Sequence, residues 1–269
     1  MRKLLVLAAS VAAVVTLATG CYALVDLLAL EHHGRTYELD PAGTVHLDVD
    51  GGGTVRVVGD GGSKVRVETR WREGISAPSI GVRRDGDRIV LRTRCPQFVN
   101  LVCQVSATVH VPRGTLVTGG GDSPIQVVDV GGRVDLSSDN GSIRVEGAAD
   151  SVRASTSNGT ITVVDSTGDL SLSTDNGSVR TRSVQATSIV ASTSNGSISL
   201  DLAAAPGSVV ARSDNGSITV LVPDEEGVAY ATATSSDNGG VDELIRTDPT
   251  SERRIEARSS NGGISLRFR

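Results

Sequence analysis

The sequence predicts an all-β protein, a β-solenoid built from a repeat of roughly twenty residues. Three observations carry that prediction: a recurrent Asn-Gly dipeptide, strict alternation of apolar and polar positions on either side of it, and very few aromatic residues.

The dipeptide occurs at Asn140-Gly141, Asn158-Gly159, Asn176-Gly177, Asn195-Gly196, Asn215-Gly216, Asn238-Gly239 and Asn261-Gly262, at spacings of 18, 18, 19, 20, 23 and 23 residues. Aligning the copies on the asparagine exposes a core. Six places before it stand Val134, Val152, Leu170, Ile189, Val209 and Ile255, and four places before stand Leu136, Ala154, Leu172, Ala191, Ala211 and Ala257. Three places after stand Ile143, Ile161, Val179, Ile198, Ile218, Val241 and Ile264; five places after are mostly Val145, Val163, Leu200, Val220 and Leu266. Each copy therefore reads as two short strands with one apolar face. The copy containing Thr232 and Thr234 breaks the pattern.

Asparagine and glycine tolerate a left-handed backbone, so each Asn-Gly is expected to form a tight turn, with the glycines at positive φ. Two topologies satisfy this. In a hairpin meander or sandwich each turn joins two paired strands. In a solenoid each copy is one coil, and equivalent residues stack along parallel ladders ~4.8 Å apart. Equivalent positions keep similar size from copy to copy, as stacked ladders require, so the solenoid is the reading adopted. Aromatic residues make up 2% of the chain and Trp71 is the one tryptophan, which suits a narrow interior. The residue before each asparagine is Asp139, Ser157, Asp175, Ser194, Asp214, Asp237 or Ser260. Like charges adjacent on neighbouring strands repel. Apart from Asp214 and Asp237, which the longer irregular copy separates, each aspartate is flanked by serine, as a stacked ladder would favour.

Upstream of the repeats, Arg2 and Lys3 precede an apolar run from Leu4 to Leu17, and Leu17-Ala-Thr-Gly-Cys21 follows. This is the pattern of a signal peptide. A cysteine after Ala-Thr-Gly resembles a bacterial lipobox, which implies lipidation at Cys21. The place three before the cysteine holds Ala18, where the usual pattern has leucine. Tyr22 to Leu30 is also apolar, so an uncleaved anchor over residues 4–30 is an alternative, although Asp26 would be costly in a bilayer. Simple secretion is a third. All three place the body outside the cytoplasmic membrane. With Cys21 lipidated, Cys95 and Cys103 remain as a pair eight residues apart, close enough to join in a disulfide, which fits export. The divisions expected are a signal peptide (1–20), a lipid-anchored tether (21–36), an N-terminal β segment with the disulfide loop (37–118) and the β-strand repeats (119–269).

The recurring Ser-Asp-Asn-Gly-Ser-Ile and Thr-Ser-Asn-Gly-Thr-Ile, the lead-in Val109-His-Val-Pro-Arg-Gly114, the Cys95–Cys103 loop and the lipobox-like start resemble a bacterial family of putative adhesins. The resemblance covers roughly residues 37–269. It implies a β-solenoid-like surface protein, commonly a lipoprotein, and carries no catalytic residues. Within 37–118, Asp50-Gly-Gly-Gly-Thr-Val-Arg-Val57 echoes Asp139–Val145, and further strands are expected at 65–71, 79–83, 88–94 and 105–111. This segment could cap the N-terminal end of the stack, and Arg267 and Arg269 would place charge on the last strand.

Net charge is −5 and the pI about 5.4, so the basic footprint of a nucleic-acid binder is absent. Cations are nearly all arginine, with lysine at Lys3 and Lys64, which high genomic GC content explains as readily as recognition of acidic glycans. His32, His33, His46 and His110 have no nucleophile or metal spacing. Gly121-Asp-Ser123 lies where a degenerate Asn-Gly turn belongs. Asp48-Val-Asp50-Gly and Gly59-Asp60-Gly61 read as surface turns, because no calcium-loop pattern surrounds them. Outward hydroxyls at Thr160, Thr162, Ser178, Ser197, Ser199, Ser217 and Thr219 form a strip able to face a glycan or solvent. The expectation is a surface-anchored structural or adhesive protein, with no cofactor, metal or catalysis. Its expected partners are the membrane, through the lipid, and a cell-wall or host glycan or protein. A polysaccharide-cleaving β-helix and an envelope-stress accessory or sensor protein are the alternatives.

Overall fold

The computed structural model describes residues 31–73, 77–95 and 103–269. The signal peptide, Cys21 and the apolar run to Leu30 lie outside the described residues. Among the described residues all elements are strands and there is no helix, hence none long and apolar enough to cross a membrane.

Among the described residues seven strands come first: β1 (Glu31–Leu39), β2 (Thr44–Asp50), β3 (Gly52–Gly59), β4 (Val65–Glu73), β5 (Ser79–Asp85), β6 (Arg88–Arg94) and β7 (Gln104–Val111). The repeats follow as pairs: β8 (Leu116–Gly121) with β9 (Ile125–Val128), β10 (Val134–Ser138) with β11 (Ile143–Glu146), and β12 (Val152–Thr156) with β13 (Ile161–Val164). Next come β14 (Leu170–Thr174) with β15 (Val179–Arg182), β16 (Ser188–Thr193) with β17 (Ile198–Asp201), and β18 (Ser208–Ser213) with β19 (Ile218–Val222). The last pairs are β20 (Ala231–Ser236) with β21 (Val241–Leu244) and β22 (Arg254–Ser259) with β23 (Ile264–Phe268).

The two members of each pair enter different sheets. The first sheet has twelve strands in the order β1-β4-β7-β3-β9-β11-β13-β15-β17-β19-β23-β21, and the second has eleven, β20-β22-β18-β16-β14-β12-β10-β8-β2-β6-β5. Neighbouring repeat strands are parallel and in equal register. Ile161 stands between Ile143 and Val179, and Val152 between Val134 and Leu170. The Asn-Gly dipeptides therefore carry the chain from one sheet to the other, and the hairpin meander is excluded for these copies. Alternation puts one face of every strand into the core. Ile143, Ile161, Val179, Ile198 and Ile218 line one ladder, and all are buried. Leu136, Ala154, Leu172 and Ala191 alternate in size along another and are buried as well. Small side chains suffice because facing positions interdigitate at crystal-like density.

Residues 37–118 are the opening of the same two sheets. Val55 and Val57 stand in register with Ile125 and Val127, as the echo of Asp139–Val145 anticipates. Strand β8 crosses the 118/119 division, and β1 begins inside the segment expected to be tether. At this end the pairing turns antiparallel: β4 joins β7, β1 joins β4, and β5 joins β6. The β5–β6 hairpin is closed by the two residues Gly86-Asp87, with Gly86 at φ 59°.

The other end departs from the sequence order. Strand β22 pairs with both β18 and β20, and β23 with both β19 and β21. The last copy thus inserts beneath the one before it. Arg267 and Arg269 do not lie on the end strand; β20 and β21 form the end. There Thr232 and Thr234 stand opposite Ile255 and Ala257, and Glu243 opposite Leu266. Glu243 accepts hydrogen bonds from the Thr232 hydroxyl at 2.9 Å and from the Thr234 hydroxyl. Val241, expected in the core, is exposed, as is Leu244. Polar groups at three inward positions terminate the stack, as a cap requires.

These facings predict an asymmetry between neighbours. Ile161→Asp should cost about 3 kcal/mol or more, because it buries an unpaired carboxylate, whereas Thr160→Asp should be nearly neutral. Urea denaturation measures both, and equal destabilisation would contradict the assigned faces.

Candidate functional site

The repeat corner is the most regular polar feature of the molecule. The hydroxyl two residues before each asparagine points inward. Ser138, Thr156, Thr174, Thr193, Ser213 and Ser259 are all buried. Each donates to a glycine carbonyl one coil below: Ser138 to Gly121 at 2.6 Å, Thr156 to Gly141 at 3.1 Å, Thr174 to Gly159 at 3.0 Å and Thr193 to Gly177 at 2.8 Å. Ser213, Ser259 and Ser236 continue the series onto Gly196, Gly216 and Gly262. The same oxygen accepts the N–H of its own turn's glycine at Gly141, Gly159 and Gly177. Outside this row the asparagine side chains form an amide ladder. Asn158 donates to Asn140, Asn176 to Asn158, Asn195 to Asn176, Asn215 to Asn195 and Asn261 to Asn215, each at 2.9 Å. Asn238 donates to Asn261 at 3.0 Å, and at the opposite end Asn140 donates to the Asp122 carboxylate at 3.1 Å. Asp122 and Ser123 thus occupy an Asn-Gly place.

The glycines are needed for a reason other than the one expected. None of Gly141, Gly159, Gly177, Gly196, Gly216, Gly239 or Gly262 has positive φ. A Cβ on Gly159 would instead collide with the Gly141 carbonyl and crowd the Thr156 hydroxyl, and the same holds one coil on for Gly177 against Gly159 and Thr174. The left-handed residues lie at the opposite corner, at Asp129, Gly147, Asp165 and Ser183 with φ 54°, 66°, 47° and 52°. They follow β9, β11, β13 and β15 directly and recur every 18 residues. Gly147 flanked by two aspartates at that spacing is the sequence signal that periodicity of the apolar positions alone does not register.

Stack order also completes the aspartate–serine row. The Asn N–H groups donate to the carbonyls of Asp139, Ser157, Asp175, Ser194, Asp214 and, through Asn238, Ser260. The spatial sequence is therefore Asp139, Ser157, Asp175, Ser194, Asp214, Ser260, Asp237. Ser260 of the inserted last copy is what separates Asp214 from Asp237. Carboxylates stand two strands apart throughout, ~9.6 Å.

The acidic segments of the opening strands are held by cations or by backbone. Burial works to raise the Asp48 carboxyl. Hydrogen bonds from Arg94 at 2.6 Å and Arg92 at 2.7 Å outweigh it, so the group is held below the ordinary carboxylate range. Asp50 pairs with Arg94 at 3.1 Å. The Gly62 N–H hydrogen-bonds Asp60 at 2.9 Å and, with His110 at 3.2 Å, depresses its carboxyl. His46 meets the Thr118 hydroxyl at 3.1 Å. Among the described residues no group of three or more His, Cys, Asp or Glu is placed to hold a metal ion. Cys95 and Cys103 are joined in a disulfide.

Two shallow recesses mark the outer faces. One, of about 340 Å³, lies on the second sheet where Ser151, Ser171 and Ser188 sit between Arg133, Arg153 and Asp169. The other, of about 490 Å³, lies at the opening end of the first sheet around Gly34, Arg70, Trp71 and Arg72. The hydroxyl strip on the first sheet is interrupted: Arg144 and Arg180 flank Thr162, and Ser199 follows Arg180.

No family model and no curated protein matches the chain. Among solved structures it is similar to the putative adhesin from Parabacteroides distasonis ATCC 8503, with a TM-score of 0.58 and 10% identity over 87% of this chain and 97% of that one. It is also similar to the putative lipid binding protein from the same strain, with a TM-score of 0.54 and 10% identity over 89% and 97%. A putative adhesin from Bacteroides fragilis NCTC 9343 is 13% identical over 89% and 97%, with a TM-score of 0.49. At 10% identity the likeness to the two Parabacteroides distasonis structures is one of fold.

Three outcomes follow. Thr174→Val keeps the shape but leaves the Gly177 N–H and Gly159 carbonyl without the hydroxyl, which should cost about 1–3 kcal/mol. Gly159→Ala should cost a similar ~1–3 kcal/mol through overpacking; denaturant melts that match wild type would contradict the corner geometry. Because the folded Asp48 carboxyl lies below its unfolded value of ~3.9, it stabilises the fold above about pH 4, and that contribution is lost as pH falls through the folded value. The melting-temperature gap between wild type and Asp48→Asn should therefore be present at neutral pH and close in acid; a pH-independent gap would contradict it.

Proposed function

We propose that the chain is a cell-surface-anchored, non-catalytic β-solenoid lipoprotein with a structural or adhesive role. The observation that carries this reading is the parallel, in-register stacking of the repeat strands, which builds most of a body whose longer sheet spans roughly 50 Å with strands ~4.8 Å apart. Its two outer faces display serine, threonine and arginine side chains at strand spacing. Strand β1 is the first described element, so the lipobox-like Cys21 stands ten residues before the body and would hold its opening end near the membrane. The disulfide fits an oxidising compartment, and the fold is shared with a structure described as a putative adhesin. Asp48 is held by Arg92 and Arg94 at 2.7 and 2.6 Å, ion pairs that a structural role on the outer face accounts for.

Cys21→Ser should abolish metabolic labelling with a palmitate analogue and release the protein to the medium. A variant that stays membrane-bound at unchanged size would support the uncleaved anchor instead. On a panel of envelope and host glycans the purified protein should retain polysaccharide without cleaving it; release of reducing or unsaturated ends would overturn the non-catalytic reading.

A further inference from the structure

The larger recess has a chemistry of its own. On the outer face of the first sheet Gly34, Arg70 and Ser106 form one register row, and Arg72 and Gln104 belong to the next. Gly34 contributes no side chain, which opens a depression of about 490 Å³ beside Arg70 and Arg72. Among the described residues its lining holds no carboxylate: Arg70, Arg72, Gln104 and Ser106 all offer hydrogen-bond donors. Trp71 adjoins it from between the two arginines, its ring stacked on His33 at 5.4 Å on the opposite face of the strand. Neither arginine has an ion-pair partner among the described residues, while Glu68 on the same face pairs with Arg66 at 4.0 Å. Two uncommitted guanidinium forks beside a hydroxyl and an amide suit a phosphate.

Position selects the source of that phosphate. Strand β1 begins at Glu31, three residues before Gly34, and the nine residues from Tyr22 to Leu30 that separate it from Cys21 span at most ~30 Å. Eight of those nine are uncharged and mostly apolar, a composition that favours the bilayer boundary. Arginines at that level reach the headgroups with their charge on phosphate while their stems stay on the protein. We propose that this recess binds the phosphate of an anionic lipid headgroup, docking the opening end of the body on the membrane. The proposal rests on the anchored reading above and adds a second, reversible contact that orients the body. Each arginine near an anionic surface should contribute about five-fold to binding, hence about 25-fold for the pair.

Trp71 is the chain's one tryptophan and lies between Arg70 and Arg72 on β4, so its fluorescence reports on whether this end of the body is covered. The full chain, purified from membranes, would be reconstituted into phosphatidylcholine vesicles with and without phosphatidylglycerol, and acrylamide quenching of Trp71 measured. Phosphatidylglycerol should shield Trp71. Raised salt, the double variant Arg70→Gln/Arg72→Gln, and Gly34→Leu should each remove the shielding. In Gly34→Leu the added Cβ meets the Thr69 carbonyl at an ordinary 3.5 Å, so the side chain fills the recess without displacing backbone. Arg70→Lys/Arg72→Lys should keep part of the effect, and an unchanged melting temperature would separate lost binding from lost fold. Equal quenching in both vesicles, or full shielding in the glutamine double variant, would overturn the proposal. So would shielding by soluble glycerol phosphate in phosphatidylcholine vesicles equal to that by phosphatidylglycerol. Flotation with phosphatidylcholine vesicles tests the anchor separately: a chain that does not float there but still shows shielding by phosphatidylglycerol loses the anchored reading and keeps the recess.

Discussion

A single buried hydroxyl per coil governs the repeat body. At Thr156 and Thr174 one Oγ accepts the N–H of the turn it belongs to and donates to the carbonyl of the coil beneath. That oxygen closes a turn and fixes the distance to its neighbour at once. A buried polar group is tolerated only when its hydrogen bonds are made, so the hydroxyl and its glycine partners come as a unit. The glycine cannot carry a side chain because its Cβ would occupy the space of the carbonyl below. Once coils are held this closely in equal register, isoleucine falls on isoleucine inside. Asparagine falls on asparagine outside, where the side-chain amides pair in one direction down to Asp122.

The ends follow from the same constraint. A parallel stack leaves unpaired strand edges and an open core at each end. At the opening end the pairing switches to antiparallel strands, with one hairpin at β5–β6 among the described residues. At the far end the copy that comes last in sequence is placed inside the stack, and the copy with threonine and glutamate at the core positions lies outermost. Thr232, Thr234 and Glu243 satisfy one another there, and that is why the copy looked degenerate in the alignment. The interior and corners thus set the strand spacing, while the outer faces display serine, threonine and arginine side chains to solvent.

Much of this was legible in the sequence, because period-two alternation and a repeating dipeptide are local signals. Strand positions, inward residues and the parallel ladder all follow from the alignment on asparagine. Three features were not. Spatial order at the far end depends on which copy can cap a core, and sequence order hides it; the aspartate–serine row becomes regular only after Ser260 is inserted between Asp214 and Asp237. The reason for glycine was misassigned, since Asn-Gly suggests backbone freedom while the structure uses the missing Cβ for close approach. The recess at Gly34 is assembled from β1, β4 and β7, whose antiparallel pairing no repeat pattern announces.

The central claim is the in-register stack with its inserted last copy, and methyl–methyl nuclear Overhauser contacts in a sample labelled at isoleucine and valine test it most directly. The stack predicts contacts from Ile161 to both Ile143 and Val179, and from Ile264 to both Ile218 and Val241. Contact between Ile218 and Val241, with Ile264 bordering Val241 alone, would contradict it.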